Sequence, residues 1–231
     1  MDSIIVTREL LGVGLMEAQE IVVSSAAWTP GLPEDRQPVD PAERAGDVTE
    51  ALLRLPPTRR ATRLLAVDGA GGSGKTTLAT VVAARLDGAV VVHVDDFYRP
   101  MPERERLDAE QGYHRYFDWE RLRDQVLIPL RADRAARYQL YDWSTGRLGA
   151  WREVAAGSVV IVEGVYSARP ETAPYYDLTA YVDTPRDVCL RRVRARGENS
   201  EAWILRWRAA EDHYLRTTWP QTRADLLVRG Y

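Results

Sequence analysis

A glycine-rich segment between a short apolar run and a helical pattern constrains the fold of this chain more than any other feature. The segment is Gly69-Ala70-Gly71-Gly72-Ser73-Gly74-Lys75-Thr76, and it fits the pattern G-x-x-x-x-G-K-[ST]. The apolar residues 63–68 are predicted to form a buried strand, and residues 76–86 are predicted to form a helix. A strand, a glycine turn and a helix in this order build a nest of backbone amides that binds phosphate. A glycine-rich turn without a ligand is the alternative.

The lysine in this segment supports the phosphate interpretation. Lys75 is the only lysine among the 31 basic residues of the chain. Its compact ammonium can sit between the β- and γ-phosphates of a nucleotide, a place that the planar guanidinium of arginine does not fill. We therefore predict that Lys75 is catalytic and that the whole loop, together with the adjoining Thr77, binds a nucleotide.

Composition narrows the class of protein. A length of 231 residues predicts one domain with a small extension. The net charge of -3 carries no nucleic-acid or membrane signature, and no apolar run reaches the roughly 18 residues that a membrane helix needs. Cys189 is the only cysteine, so no intrachain disulfide can form, and the start Met1-Asp2-Ser3 lacks the basic character of a signal peptide. We expect a cytoplasmic protein with no nucleic-acid or membrane partner.

The first 60 residues are predicted to stand apart from residues 61–231. They comprise two short helices within 4–23, a proline-rich linker at 29–38 and a helix over 47–55 that leads into the core. The helical pair resembles the hairpin in the C-terminal domain of the ribosomal stalk protein, on the residues Arg8-Glu9-Leu10-Leu11-Gly12-Val13-Gly14-Leu15-Met16-Glu17-Ala18-Gln19-Glu20-Ile21-Val22. This hairpin docks on a protein partner, or it is a structural appendage, or it results from a misplaced start codon.

From residue 63 onward, short apolar runs alternate with helical stretches. The predicted strands are 63–68, 89–94, 159–162, 178–182 and 226–228. Near-continuous runs of this kind suit a mainly parallel five-stranded sheet that helices cover on both faces. Between the second and third strands lies an insert, residues 104–151, in which Ser144-Thr145-Gly146 separates two strand-like runs and predicts a hairpin.

Two carboxylates follow the second strand, at the carboxyl edge of the sheet where ligands bind. A carboxylate there can take a proton from a substrate hydroxyl as its oxygen attacks a phosphoryl group. The pair can also order water around Mg²⁺, or it can simply cap the next element. Asp95 and Asp96 are the two candidates for these roles.

A third carboxylate, Glu163, ends the third strand. It is predicted to lie beside the phosphate loop and to hold Mg²⁺ opposite the Thr76 hydroxyl; a buried acid satisfied by backbone amides is the alternative. The guanine-recognition motif Asn-Lys-x-Asp is impossible here because Lys75 is the only lysine. This disfavours a GTPase.

An arginine-rich helix follows the fourth strand, beginning near Pro185. Its arginines are Arg191, Arg192, Arg194 and Arg196. The helix is either a lid that neutralises charge during phosphoryl transfer or a solvated basic face. Which arginines turn inward stays open, with Arg192 and Arg196 as our predicted nucleotide contacts. In the next helix, Trp203 and Trp207 are predicted to be core packing.

These motifs together resemble the uridine kinase family of P-loop kinases, a group that includes phosphoribulokinase and pantothenate kinase. The resemblance covers residues 64–228 and implies a three-layer α/β/α fold with ATP and Mg²⁺ as cofactors. The family's D-x-F-Y-R segment begins with its general base and is similar to Asp95-Asp96-Phe97-Tyr98-Arg99; the resemblance therefore implies that Asp95 is the base, and we predict that Asp96 lies on the metal side. Its L-E-G segment is similar to Val162-Glu163-Gly164, and its V-D-T followed by an arginine lid is similar to Val182-Asp183-Thr184 and the helix after it.

The acceptor side matches less well. The family's Y-D-F hairpin is similar to Tyr141-Asp142-Trp143, but the histidine that follows it in the family is absent from Ser144-Thr145-Gly146-Arg147. The F-D-H-P segment is also absent, and Tyr116-Phe117-Asp118-Trp119 stands near its place. The resemblance implies substrate contacts from Tyr98, Asp118, Tyr141, Trp143 and Arg169.

The resemblance implies a nucleoside 5′-hydroxyl as the acceptor. A kinase of another small alcohol, such as a sugar phosphate or a pantothenate-like compound, is the close alternative. A P-loop ATPase or regulatory nucleotide switch that docks through the N-terminal hairpin is the alternative from another class. A homo-oligomer is equally open.

Overall fold

The computed structural model describes residues 41–100 and 106–230, which belong to the unit Pro38–Tyr231. The predicted N-terminal hairpin and linker lie outside the described residues. The described residues form seven strands: β1 (Arg63–Gly69), β2 (Val90–His93), β3 (Ala136–Asp142), β4 (Arg147–Val154), β5 (Val159–Glu163), β6 (Leu178–Asp183) and β7 (Leu226–Arg229). Five of them form one parallel sheet in the order β2-β5-β1-β6-β7, and β3 pairs with β4 as a separate antiparallel hairpin. The predicted five-stranded sheet and hairpin insert are confirmed.

Helices cover both faces of this sheet. They are α1 (Pro41–Leu53), α2 (Lys75–Ala83), α3 (Ala109–Arg115), α4 (Trp119–Leu122), α5 (Ile128–Arg131), α6 (Arg186–Arg196), α7 (Glu201–Thr218) and α8 (Pro220–Arg223). Local capping sets several of their ends. Asp108 and Gln111 form a capping box at the start of α3, Ser200 caps α7, and Gly197 in the left-handed conformation ends α6. Within 41–100 and 106–230, none of the helices has the length and apolar character needed to cross a bilayer.

The alternation of side chains along β1 divides the interior into two cores. Leu64 and Ala66 enter a core rich in aromatic residues, formed with the insert and α7. Leu65 and Val67 enter a second core, formed with α1 and α2. Because successive strand residues point to opposite faces, a strand that is apolar throughout must be covered on both sides. The result is the predicted three-layer α/β/α fold.

Helix α1 is part of this packed body. It begins before the predicted helix 47–55, and its residues Ala45, Val48 and Leu52 are buried against the α2 side of the sheet. The predicted division of the chain at residue 60 stays a prediction, but α1 packs with the sheet rather than apart from it.

Candidate active site

The phosphate loop connects β1 to α2 and packs against α6. Gly74 caps α2 with a φ of 97°, in the left-handed region that favours glycine. At Gly72, a Cβ atom would lie 2.6 Å from the backbone carbonyl oxygen of Cys189 in α6. Only glycine therefore lets the loop and the lid helix approach this closely.

The start of α2 presents hydrogen-bond donors to the cleft. The amides of Lys75, Thr76 and Thr77 open the helix and have no acceptor in a preceding helical turn. The Lys75 ammonium lies 3.4 Å from the carbonyl oxygen of Ala70, so it folds back over the loop. Free amides, the helix dipole and one ammonium suit a phosphate chain.

The Glu163 carboxylate joins the loop to β2. Its Oε2 accepts a hydrogen bond from the Thr76 hydroxyl at 3.1 Å, and its Oε1 lies 2.6 Å from His93 Nδ1. Burial by itself would raise the pKa of Glu163, but the hydrogen bond from His93 and the charge of Lys75 bring that pKa below its usual value. An ionised carboxylate and a hydroxyl oxygen are ligands that Mg²⁺ accepts beside phosphate and water, so the pair fits the predicted metal.

The two aspartates after β2 diverge, because residues Val94–Phe97 form a 3₁₀ turn. Asp95 lines the cleft together with Lys75. The protein around it displaces water and raises its pKa; the Lys75 charge offsets part of this rise, and Glu163 adds to it.

Asp96, which we predicted on the metal side, is directed to the hairpin instead. Its Oδ2 accepts a hydrogen bond from the Tyr138 hydroxyl at 3.2 Å and lies 3.9 Å from Arg152 Nη1. The turn therefore assigns one carboxylate to the cleft and the other to β3 and β4.

Among the described residues, five aromatic side chains line the cleft that contains Asp95, and we call them the aromatic wall. They are Tyr98, Phe117, Trp143, Trp203 and Trp207. Neighbouring rings in the wall have centroids 4.9–6.3 Å apart, as packed aromatic pairs do. Trp203 and Trp207 were predicted to be core packing; they pack on Tyr116 and also face the cleft.

Three residues predicted to contact substrate lie outside the cleft lining. Tyr141 packs behind Tyr98, with ring centroids 5.2 Å apart. Asp118 caps α4 by accepting the Arg121 amide, and it lies 3.1 Å from Arg99 Nη2.

Arg169 is the third of these residues, and it is buried. It makes a bidentate pair with Glu171, and its guanidinium lies 4.6 Å from the centre of the Tyr113 ring. In the described part of the chain, none of the three lines the cleft.

The lid helix α6 places its arginines on two sides. Arg192 Nη1 donates to the carbonyl oxygen of Gly72 at 3.3 Å, and Arg196 lines the cleft. Two further arginines of the helix pair with acids on the solvent side: Arg191 with Asp187, and Arg194 with Glu201.

Three residues that the sequence analysis did not assign to the site lie against the loop or its partners. His93 contacts Glu163, as described above. Arg186, the first residue of α6, lines the cleft and pairs with Glu211, a buried acid of α7. The only signal of Glu211 in the sequence was an acid four residues after Trp207, on an otherwise apolar helix face.

A further carboxylate, at the end of β1, helps to hold the phosphate loop in place. Asp68 accepts hydrogen bonds from the amides of Gly69, Tyr166 and Ala168 and from the Tyr214 hydroxyl, at 2.6–3.1 Å. Burial raises its pKa. The acid ties the end of β1 to the segment after β5 and to α7.

The strand order, the loop and the flanking helices define the fold as that of a P-loop kinase. A profile of the Phosphoribulokinase / Uridine kinase family matches residues 64–230, and the chain belongs to this family.

Individual relatives agree with this assignment. The uridine kinase of Ureaplasma parvum serovar 3 is 30% identical over 159 residues, which are 63% of this chain and 76% of that protein. A solved structure from Bacillus stearothermophilus, provisionally described as a uridine kinase, is 27% identical with a TM-score of 0.64 and covers 80% of this chain and 97% of that chain. Another, from Silicibacter sp. TM1040 and provisionally described as a fructose transport system kinase, is 25% identical with a TM-score of 0.62 and covers 82% and 98%. These relatives support a small-molecule kinase.

Proposed function

We propose that this protein transfers the γ-phosphate of ATP to a hydroxyl of a small, uncharged acceptor that carries a planar ring, and that this acceptor is a nucleoside with its 5′-hydroxyl. The observation that carries the proposal is the common cleft of about 550 Å³ that Lys75, Asp95 and the aromatic wall line. A cleft of this volume is in the range of small-molecule sites.

The chain's own groups divide the chemistry between them. Lys75 and the α2 amides bind the phosphates, and Arg196 lies where it can neutralise charge as the phosphoryl group moves. Asp95 takes the proton of the acceptor hydroxyl while that oxygen bonds to the γ-phosphorus and the bond to the β–γ bridging oxygen breaks, which releases ADP. Thr76 and Glu163 would hold Mg²⁺, which when bound neutralises phosphate charge. The raised pKa of Asp95 makes it a better base near neutral pH than an ordinary aspartate.

The makeup of the acceptor side favours an uncharged planar acceptor over a sugar phosphate. The turn after β2, the segment before α4 and the hairpin loop contribute Asp95, Tyr98, Phe117 and Trp143 to the cleft: one acid and three rings. A phosphorylated acceptor calls for cations beside the base. Aromatic faces instead stack well on a nucleobase.

The second candidate is a kinase of another small alcohol. The hairpin loop has Ser144-Thr145-Gly146-Arg147 where the uridine kinase resemblance calls for a histidine, so the group that reads a pyrimidine is missing from that place. The Silicibacter neighbour, described as a fructose transport system kinase, is similar over nearly its whole length.

Product analysis tests the proposal. The protein is incubated with ATP, Mg²⁺ and panels of nucleosides, sugars and sugar phosphates, and products are identified by ³¹P NMR and mass spectrometry. We expect a nucleoside 5′-monophosphate. A phosphorylated sugar instead would favour the second candidate, and ADP with free phosphate alone would favour an ATPase or switch.

Two neighbouring variants test the base. Asp95→Asn should bind ATP normally and lose transfer, because the amide cannot accept the proton. Asp96→Asn is the matched control: its amide oxygen still accepts from Tyr138, so transfer should persist. Greater damage in Asp96→Asn would exchange the two assignments, and lost ATP affinity in Asp95→Asn would indicate a metal role.

A further inference from the structure

A buried ion pair beside the phosphate loop has no part in the scheme above. Arg186 Nη1 lies 2.8 Å from Glu211 Oε2, and the Glu211 side chain is only 3% exposed. Arg186 Nη2 lies 2.6 Å from Asp212 Oδ1. The guanidinium of the first residue in α6 is thus held by two consecutive acids of α7.

The other oxygen of Glu211 holds the phosphate loop. Glu211 Oε1 accepts the Gly71 amide at 2.7 Å and the Trp207 indole N–H at 2.9 Å. One carboxylate therefore joins three elements: the loop through Gly71, the lid helix through Arg186, and α7 through its own backbone and Trp207. A Cβ atom at position 71 would lie 3.0 Å from the same oxygen, so the fit at the loop is close.

The charge of this pair serves geometry better than stability. Desolvating a carboxylate and a guanidinium costs about as much as their attraction returns, so the charge of the pair adds little to the stability of the fold. Directional hydrogen bonds do what apolar contacts cannot: they set distances and angles. The Gly71 amide is occupied by Glu211, whereas the amides at the start of α2 are left for phosphate.

The same contacts locate the lid relative to the loop. Arg208 Nη1 donates to the carbonyl oxygen of Arg186 at 2.9 Å, and Arg192 reaches the carbonyl oxygen of Gly72. These contacts fix the position of the α6 arginines relative to the phosphate loop. Glu211 is the residue that contacts both the loop and α6.

We propose that Glu211 is a positioning residue which, together with Arg186, sets the lid helix against the phosphate loop for phosphoryl transfer. The proposal rests on the proposed function only in that the protein transfers phosphate from ATP. It assigns to the pair an effect on turnover that exceeds its effect on nucleotide binding.

Three variants separate positioning from stability. Glu211→Gln keeps an oxygen for the Gly71 amide but presents an amide to Arg186, and Arg186→Met keeps the aliphatic stem without the charge. Each should lower both kcat, by about tenfold or more, and the melting temperature. The double variant leaves no buried charge unpaired, so its melting temperature should lie above those of both single variants while its kcat stays low.

The readouts are melting temperature, kcat and KM for ATP, and the ADP dissociation constant by calorimetry. We expect ADP affinity to change less than about threefold while kcat falls, since phosphate is bound by other amides. Recovery of kcat along with melting temperature in the double variant would reduce the pair to a structural role and overturn the proposal. Unchanged kcat in both single variants would do the same.

Asp187→Asn provides the matched control. This acid lies on the exposed side of α6, next to Arg186 in the chain, and contacts only the solvent-facing Arg191 among the described ion pairs. Its kcat should equal that of the wild type.

The two proposals fail in different ways. If the wild type phosphorylates none of the acceptors, the proposed function fails, and the variants are compared by ATP hydrolysis with water as acceptor. If the wild type transfers phosphate and the double variant recovers, only the positioning proposal fails. A wild type that neither transfers nor hydrolyses contradicts both.

Discussion

The phosphate loop and the aromatic wall face the same cleft, but the chain assembles them differently. The loop is one run of eight residues, 69–76, which includes the end of β1 and the start of α2, and most of its phosphate-binding groups are backbone amides. The wall takes its rings from four separate segments: the turn after β2, the residues before α4, the hairpin loop and α7. Backbone amides are the same in every residue, whereas rings can be exchanged one at a time. The nucleotide side is therefore fixed by conformation, and the acceptor side can be changed by single substitutions.

The largest effect should come from the one side chain of the loop that backbone amides cannot replace. Lys75→Ala should lower turnover by about 100-fold or more, since its ammonium offsets charge on the moving phosphoryl group. Lys75→Arg should fail as well, because a planar fork does not replace a point charge. Both are measured by single-turnover kinetics with thermal melting alongside, and the melting temperature should change little. Turnover above about a tenth of wild type in either variant would contradict the role of the lysine.

Removal of a ring from the aromatic wall should have a smaller effect, and only on the acceptor. Trp143→Ala removes an exposed ring beside Tyr98 and should raise the acceptor KM about tenfold or more, with the KM for ATP unchanged. Trp151→Ala on the same hairpin is the control: this ring is stacked by Arg137 and does not line the cleft. Equal effects of the two substitutions would mean that the hairpin acts through its fold and not through the ring.

The protonation of Asp95 should affect the acceptor reaction much more than nucleotide binding. Because its pKa is raised, the ionised base is lost at a higher pH than for an ordinary aspartate as the solution is acidified. At saturating ATP, kcat/KM for the acceptor should therefore fall about tenfold per pH unit below that pKa and level off above it. ADP binding, measured by calorimetry over the same range, should fall much less. A rate that is flat down to pH 4 would remove Asp95 from the base role.

The smallest effect on activity should come from behind the loop. Leu52→Ala leaves a cavity between α1 and α2 and should lower the free energy of unfolding by about 2–4 kcal/mol, with near-normal turnover at temperatures where the protein stays folded. Leu53→Ala is matched in sequence and chemistry, but Leu53 is 71% exposed, so it should be nearly neutral in a urea titration.

A protein beginning at residue 38 should fold and phosphorylate its substrate, whereas removal of residues 1–60 takes away α1 and should destabilise the sheet.

The part of the site that could be predicted from sequence is the part that is local in the chain. A strand, a glycine turn and a helix carry their own geometry, so the fold and the loop followed from pattern alone. The acceptor side depends on which way side chains turn after packing. Asp95 and Asp96 are neighbouring residues of the same type. Their side chains take different surroundings only because of the 3₁₀ turn and the hydrogen bond from the Tyr138 hydroxyl to Asp96. Asp118 sits in an aromatic motif but serves as a helix cap.

Glu211 shows the same limit over a longer distance. Its partner Gly71 is 140 residues away in the chain, and nothing in either local sequence announces the contact. A buried acid on a helix indicates only that some hydrogen-bond donor must contact it. The identity of that donor is a property of the packed molecule.

The strand order also determines when this site can exist during synthesis. The central strand β1 pairs on one side with β5, from the register Arg63 to Val159, and on the other with β6, from Leu65 to Leu178. A growing chain that has completed β1, α2 and β2 has no strand that can pair with β1, because β5 lies between β1 and β2 in the sheet. Folding must therefore wait for long-range closure, which is slow and leaves apolar strand edges exposed to chaperones or aggregation. A nascent chain that ends before residue 159 carries the glycine-rich segment in its sequence without the sheet that holds it in shape.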